Sequence, residues 1–298
     1  MAILIILALV FTSAYSLPFV VFHGLGDKCS NNQMIKFTNN LSNWSGSQGH
    51  CIETGDSWLV PIRNQVKSNY ALSQGYNIVG LSQGNIIARA VIEFCEGGAP
   101  QVYNYVSLAG PHAGIAKIPY CGSGNYCTLV DSIIKSGVYS KYAQENFGPA
   151  GYIKMPTAIN QYMKHCKFLP QLNNEYKDHK NAVYKERFAS LQNLVLIMFE
   201  NDKVLDPKET SWFGYFPDGS RDKVLSPQET ALYNEDWIGL KSLDSAGRVQ
   251  FINIVGGHLK ISSTDTKKYI VPYLQNKWLF SSHQCLCCDG GGRPLFIP

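Results

Sequence analysis

The chain carries a serine between two glycines, in the run Gly80-Leu81-Ser82-Gln83-Gly84. An apolar run, residues 76–79, precedes this motif and a helical pattern, residues 85–94, follows it, as in the strand, tight turn and helix of a nucleophile elbow. Glycines on both sides let the backbone take a strained turn that lifts the serine hydroxyl above the sheet. The sequence therefore predicts that Ser82 is a nucleophile.

A nucleophilic serine needs a base and an acid that orients the base, which follow in this fold class in the order Ser, Asp or Glu, His. His258 lies on a glycine-rich loop after the mainly apolar residues 249–255, so we expect it at the carboxyl end of a strand, where ligands meet open α/β sheets. Residues 194–199 are also wholly apolar and indicate a buried strand, and Asp202 follows where that strand leaves the sheet. We therefore predict a triad of Ser82, Asp202 and His258.

Two other aspartates compete with Asp202, because a similar run of residues recurs further along the chain. Asp222 follows a turn-like stretch with no apolar strand before it, which indicates a solvated loop charge. Asp206 precedes a proline, which favours an extended backbone and a helix start at Lys208. We prefer Asp202 and keep Asp206 as the alternative.

The oxyanion that forms during acyl transfer needs two N–H donors. In this fold class one comes from the residue after the nucleophile, here Gln83, and one from the loop after an early strand. Residues 17–22 are typical of that strand, so we predict that the Leu25 N–H is the second donor. We expect His23, in the same loop, to contribute through its backbone and not through its imidazole. We expect no metal site and no cofactor, because there is no i, i+4 pair and no cluster with acids among the remaining histidines, which are His50, His112, His165, His179 and His283.

Further motifs are spread along nearly the whole chain: residues 18–27, residues 74–77 before the elbow, Ser211-Trp212-Phe213-Gly214, and Gly256-Gly257-His258-Leu259. With the predicted site, they resemble the lysosomal palmitoyl-protein thioesterases, most closely the plant members. The resemblance implies an α/β-hydrolase fold, with a mostly parallel central sheet and an inserted helical lid. It implies hydrolysis of long-chain acyl thioesters, with palmitoyl removed from S-acylated cysteines of proteins or from acyl-CoA through an acyl-enzyme. The family's triad falls on Ser82, Asp202 and His258, and its oxyanion donors fall on Leu25 and Gln83.

Two other functions stay open at this point. A lipase or carboxylesterase of the same fold would share every catalytic residue. A catalytically silent acyl-binding protein is the second, because residues 49–72 form a shorter segment than the corresponding part of the family.

Length and composition fit one domain with an insertion. At 298 residues and 45% hydrophobic content, the chain can bury a large core. We predict a core from residues 17–110 and 191–281, a lid from residues 111–190, an amphipathic closing helix over residues 265–280, and a disordered tail from residues 282–298. The net charge of +4 is mild and the lysines are scattered, so neither nucleic acid nor a polybasic membrane contact is indicated.

Residues 1–16 have an apolar centre followed by small residues, which is typical of a secretory signal peptide cleaved after Ser16. The stretch is too short to span a membrane. With the resemblance, it predicts a lysosomal, vacuolar or extracellular location. A secretory route makes Asn40 and Asn43 candidate glycosylation sites.

The nine cysteines then pose a question of disulfide pairing. Cys121 and Cys127 bracket a short, flexible loop and match a bridge in the family's lid, so we predict that they pair. Cys29 and Cys51 are a plausible second bridge, which the sequence alone leaves open, as it does the state of Cys95 and Cys166.

Overall fold

The structure, a computed structural model, describes residues 16–53, 70–95, 100–117 and 137–275. The predicted Cys121–Cys127 bridge, the predicted tail and the predicted signal peptide up to residue 15 lie outside the described residues. Most of the shortened segment, residues 54–69, lies outside them as well.

Six strands form one sheet in the order β2-β1-β3-β4-β5-β6, and all neighbours are parallel. The strands are β1 (Phe19–Phe22), β2 (Gly49–Ile52), β3 (Tyr76–Leu81), β4 (Val102–Leu108), β5 (Asn193–Phe199) and β6 (Val249–Ile254). A parallel sheet is covered on both faces, so its inner strands are mainly apolar and are buried along nearly their whole length, as β3 and β5 are. The strands predicted before the elbow, before Asp202 and before His258 are confirmed.

Helices cover the two faces of this sheet. They are α1 (Asn32–Ser45), α2 (Gly84–Phe94), α3 (Lys141–Asn146), α4 (Ile159–His165), α5 (Leu169–Leu172), α6 (Ala182–Ala189), α7 (Ala231–Asn234), α8 (Leu240–Ser245) and α9 (Ser263–Tyr269). Successive strand residues point to opposite faces, so Ile78 and Val79 enter different apolar clusters. Helices α3 to α5 pack on the face of Val79, whereas α6 and α8 pack on the face of Ile78.

The closing helix is shorter than the sequence predicts. Helix α9 ends at Tyr269, and a 3-10 turn, Val271–Tyr273, follows it. Pro272 explains the break, because proline has no N–H to donate and its ring collides with the preceding turn of an α-helix. Ile270, Val271 and Leu274 of this segment are buried, as an amphipathic segment that packs on the core requires.

Candidate active site

Ser82 stands at the sharp turn between β3 and α2. Its φ of 49° lies in the left-handed region, which is uncommon for a residue with a side chain and marks local strain. The Ser82 N–H donates to the Leu108 carbonyl at 2.9 Å, and the Ser82 carbonyl accepts from the Asn85 N–H at 3.0 Å. These bonds hold the turn between the sheet and the helix, with the hydroxyl on the outside.

The two flanking glycines are required by close approach of neighbouring atoms. A Cβ at Gly80 would lie 2.1 Å from Asn85 Oδ1, and a Cβ at Gly84 would lie 2.3 Å from the Phe22 carbonyl oxygen. Real Cβ atoms do not approach that closely, so any larger residue would push the elbow away from β1. The Asn85 side chain stabilises the turn further, because its Nδ2 donates to the carbonyls of Ser82 and Leu108 at 3.0 and 2.8 Å.

A continuous chain of hydrogen bonds joins Ser82, His258 and Asp202. His258 Nε2 lies 2.9 Å from Ser82 Oγ, and His258 Nδ1 lies 2.7 Å from Asp202 Oδ2. An ionised carboxylate can only accept, so the proton on the ring sits on Nδ1 and Nε2 is left to accept from the serine hydroxyl. This is the tautomer that a general base needs. The Asp202 side chain is fully buried, whereas that of His258 is 17% exposed.

Of the three aspartates that the sequence raised, Asp202 is the one that contacts His258. The Asp206 carboxylate instead pairs with Arg221 and lies 3.7 Å from the Lys117 ammonium. Asp222 is exposed and accepts from the Ser220 hydroxyl at 2.8 Å. Both belong to surface interactions away from the imidazole.

A small cavity of about 170 Å³ opens beside the serine. It is lined by Leu25, Ser82, Pro111, Ile115, Tyr152, Val204, Leu205 and His258. The loop after β1 comes close to the nucleophile, because a Cβ at Gly24 would lie 3.4 Å from Ser82 Cβ. Within the described part of the chain, the N–H groups of Leu25 and Gln83 donate to no other residue, so both are available for an oxyanion.

Sequence reasoning missed Tyr152 as a residue of this site. Its ring lines the cavity, and its hydroxyl donates to Gln83 Oε1 at 3.0 Å. No local motif marks Tyr152, since its position depends on the path of residues 137–153 across the sheet. Val204 and Leu205 could have been found, because they lie two and three residues after the predicted acid Asp202.

His23 lies apart from the triad, at the start of the loop that carries Leu25. It is buried, its Nδ1 lies 2.9 Å from the Gly24 carbonyl oxygen, and its Nε2 lies 3.6 Å from Glu53 Oε1. Cys29 and Cys51 form a disulfide that ties this loop to β2. His23, Cys29 and Glu53 bring their ligand-type atoms within 4.8 Å of one another, but the Cys29 sulfur belongs to the disulfide and cannot bind a metal as a thiolate.

Asn40 and Asn43 both lie on helix α1, where Asn43 is exposed and Asn40 is half-buried. Ser16, the last residue of the predicted signal peptide, contacts the Ser47 hydroxyl and the Leu274 carbonyl. No helix in the described ranges combines the length and the apolar character needed to cross a membrane.

The order of these functional groups along the sheet defines the class of protein. A serine sits on a strained elbow after β3, an acid follows β5, a histidine follows β6, and the three are hydrogen-bonded above a parallel sheet. That arrangement is the α/β-hydrolase fold with its nucleophile elbow.

Comparison with known proteins narrows the class to one family. The family model for palmitoyl protein thioesterase matches residues 18–258, and the chain belongs to this family. Palmitoyl-protein thioesterase 1 from Caenorhabditis elegans is 35% identical over 262 residues, which cover 82% of this chain and 87% of that protein. Palmitoyl-protein thioesterase 3 from Dictyostelium discoideum is 33% identical over 288 residues, with coverage of 92% and 97%. A lysosomal thioesterase PPT2 homolog from Drosophila melanogaster is 31% identical over 211 residues, with coverage of 67% and 69%.

Proposed function

We propose that this protein is a thioester hydrolase that removes long-chain acyl groups, palmitoyl in particular, from S-acylated cysteines of proteins or from acyl-CoA. The observation that supports it best is the hydrogen-bonded chain from Ser82 through His258 to Asp202, at the edge of a cavity. The family and the names of its relatives supply the thioester substrate class.

In the proposed acylation step, Ser82 Oγ attacks the carbonyl carbon of the thioester while His258 Nε2 takes the hydroxyl proton. Asp202 holds the imidazole and stabilises the imidazolium that forms. The N–H groups of Leu25 and Gln83 donate to the oxyanion of the tetrahedral intermediate. When that intermediate collapses, the carbon–sulfur bond breaks and the sulfur leaves.

The leaving group and the deacylation step follow from the same residues. A cysteine thiol has a pKa near 8.5, so its thiolate departs with far less help from a general acid than an alkoxide needs. The His258 imidazolium supplies the proton that the departing sulfur takes up. Water then attacks the acyl-enzyme while His258 again accepts a proton. The acid is released and Ser82 recovers its proton.

The two other functions are less well supported. A lipase or carboxylesterase would use the same triad, but family membership favours the thioester. A silent acyl-binding protein would not require the 2.9 Å contact between Ser82 Oγ and His258 Nε2 or a strained serine at the elbow. Because the triad is the same for every acyl chain, selectivity for acyl length must come from the residues that line the cavity.

We further propose a core of residues 17–110 and 191–281, with residues 111–190 as a lid that carries a Cys121–Cys127 bridge. Pro111, Ile115 and Tyr152 of this insertion line the cavity, which supports its contact with the acyl group. The acyl chain would run from Ser82 along these side chains.

The proposed location is the secretory pathway, ending in the lysosome or vacuole or outside the cell. The Cys29–Cys51 disulfide supports an oxidising compartment, and one relative is named a lysosomal thioesterase. Glycosylation at Asn43, the more exposed of the two candidate sites, is part of the proposal. Protein secreted from eukaryotic cells should lose apparent mass on endoglycosidase treatment, and an unchanged mass would contradict glycosylation.

The test of the activity is labelling of the purified protein with a fluorophosphonate probe in competition with a palmitoyl thioester. Ser82→Ala should abolish both labelling and turnover, while far-UV dichroism stays unchanged. Ser107→Ala is the matched control, because Ser107 Oγ also pairs with a histidine, His112 Nε2 at 2.8 Å, but both residues are fully buried. Labelling that persists in Ser82→Ala, or disappears in folded Ser107→Ala, would contradict the assignment of the nucleophile.

A further inference from the structure

A second and larger concavity, here called the side cleft, lies beside the catalytic cavity. Its volume is about 760 Å³ against about 170 Å³ for the catalytic cavity, which places it in the range of typical ligand sites. Its walls come from the insertion and from the residues that follow β5, and its lining is mainly apolar, with the large side chains of Met163, Tyr176, Phe213, Tyr215, Phe216 and Trp237.

The side cleft and the catalytic cavity share two backbone segments. Pro111 and Ile115 line the catalytic cavity, and Ala113 between them lines the side cleft. In the second segment, Tyr152 lines the catalytic cavity and Lys154 lines the side cleft. Two backbone hydrogen bonds pair the two segments: the Ile115 N–H donates to the Tyr152 carbonyl at 3.0 Å, and the Lys154 N–H donates to the Ile115 carbonyl at 2.9 Å. On each segment, only two positions separate a residue that lines the catalytic cavity from one that lines the side cleft, so the two concavities are neighbours.

Lys154 places a charged donor in the side cleft. Its Nζ donates to Glu175 Oε2 at 2.9 Å, and the two side chains are only 16% and 5% exposed. Glu175 Oε1 accepts from the Tyr162 hydroxyl and from Asn173 Nδ2, at 3.0 and 3.1 Å, so the carboxylate is well occupied. An ammonium has three donors, and within the described residues the Lys154 ammonium gives one hydrogen bond, to Glu175, while it lies 5.0 and 5.7 Å from the centres of the Tyr162 and Tyr215 rings.

The chemistry of the side cleft favours a polypeptide over a small anion. A second carboxylate or phosphate at Lys154 would be repelled by Glu175, whereas the carbonyl of a peptide would be a neutral acceptor. The aromatic rings offer apolar surface to side chains, and the exposed rim carries both signs of charge, with Lys177 against Asp178 and Asp218.

We propose that the side cleft binds the polypeptide that flanks the acylated cysteine of a protein substrate. Because the thioester and the acyl chain that leads from it occupy the catalytic cavity, the protein part of the substrate must contact another surface nearby. The inference rests on the proposed thioesterase function and adds to it a subsite that recognises the polypeptide and not the acyl group.

The test compares two substrates, a short S-palmitoylated peptide with apolar residues around the cysteine and the palmitoyl thioester of N-acetylcysteamine, which carries no polypeptide. Ala231 is exposed, opens α7 and lines the side cleft, so Ala231→Trp fills the cleft without removing a contact. Ala182 is also exposed and opens α6, but it is not part of the lining, so Ala182→Trp is the matched control.

We expect Ala231→Trp to lower the ratio of kcat/KM for the peptide to kcat/KM for the small thioester about tenfold, mainly through KM, while Ala182→Trp keeps the wild-type ratio. In a Ser82→Ala background, Ala231→Trp should also weaken binding of the peptide, measured by fluorescence anisotropy. An unchanged ratio in Ala231→Trp, or an equal fall in both variants, would overturn the inference while leaving the thioesterase function intact. A wild-type protein that hydrolyses neither substrate would contradict the proposed function itself.

Discussion

The two carboxylate oxygens of Asp202 have different partners. Oδ2 accepts from His258 Nδ1 at 2.7 Å, and Oδ1 accepts from the N–H groups of Val204 and Leu205 at 2.8 and 3.1 Å. Two backbone donors therefore fix the orientation of the carboxylate before it meets the imidazole. Val204 and Leu205 also line the catalytic cavity, so the loop after β5 both orients the Asp202 carboxylate and forms part of the cavity wall.

This arrangement predicts how the aspartates differ. Asp202→Asn keeps the shape of the side chain, but it replaces an acceptor by an amide and favours the wrong tautomer of His258. We expect kcat for a palmitoyl thioester to fall by roughly 10⁴. Asp206→Asn and Asp222→Asn are the controls and should keep most of the activity, because neither carboxylate contacts the imidazole. An inactive, folded Asp206→Asn would show that the acid is Asp206.

The residues of the candidate site differ in how far the sequence could reveal them. Ser82 has a local signature, and Asp202 and His258 could be found because each follows an apolar strand in a parallel sheet. Tyr152 could not be found, since its contact with Gln83 is made across 69 residues of sequence and depends on how the insertion crosses the sheet. Local sequence patterns therefore predict the residues of the elbow and of the strand ends. They do not predict a cavity-lining residue such as Tyr152, which the insertion supplies.

At the scale of elements, the strands that carry the site were predictable because each is a short, mainly apolar run. Edge strand β2 was not, because it has only four residues, three of them half-buried, and its apolar pattern is weak. The closing helix was predicted from its apolar period, but Pro272 ends it early, which the period alone does not reveal. Periodicity thus predicted which residues are buried better than it predicted where the helix ends.

The elements around the catalytic cavity predict a dependence on acyl length. Each methylene that the protein buries contributes about 0.8 kcal/mol, so kcat/KM should rise through the medium-chain thioesters and level off near palmitoyl, where further methylenes stay in water. Val204→Trp should lower kcat/KM for palmitoyl more than for butyryl thioesters, because the half-buried Val204 lines the cavity and the larger ring would occupy it. Lys203→Trp, at the exposed neighbouring position, is the control. A flat profile from butyryl to palmitoyl would remove the proposed role of the lid.

At the scale of the whole molecule, a buried arginine connects the elbow helix to distant segments. Arg89 on α2 is fully buried, and its Nε donates to Glu93 Oε1 at 2.9 Å. Its Nη1 donates to Asn173 Oδ1 at 2.8 Å and its Nη2 to the Leu172 carbonyl at 3.1 Å, and its guanidinium carbon lies 5.0 Å from the centre of the Phe213 ring. The helix that follows Ser82 is thereby attached to the insertion and to the loop after β5.

Glu93 is the acidic partner in this network. Burial raises the pKa of Glu93 to about 7, although the charge of Arg89 acts in the opposite direction. The upward direction of this pKa shift agrees with the contacts. Glu93 Oε2 has no hydrogen-bond partner among the described residues, which disfavours the ionised form of the carboxyl group. Arg89 keeps the oxygens of Leu172 and Asn173 as acceptors when Glu93 takes a proton, so protonation does not leave the guanidinium without partners.

The raised pKa of Glu93 predicts a contribution to stability that is present in acid and is lost towards neutral pH. Since the folded state holds the Glu93 proton more tightly than the unfolded chain does, this contribution is complete below about pH 4.5 and is lost as the pH rises through about 7. The midpoint of thermal unfolding should therefore fall over that range in the wild-type protein and fall less in Glu93→Gln, which cannot ionise. Glu186→Gln, at an exposed position of α6, should keep the wild-type slope. If Glu93→Gln and the wild-type protein lost stability in parallel over this range, the buried carboxyl would not be the group that titrates.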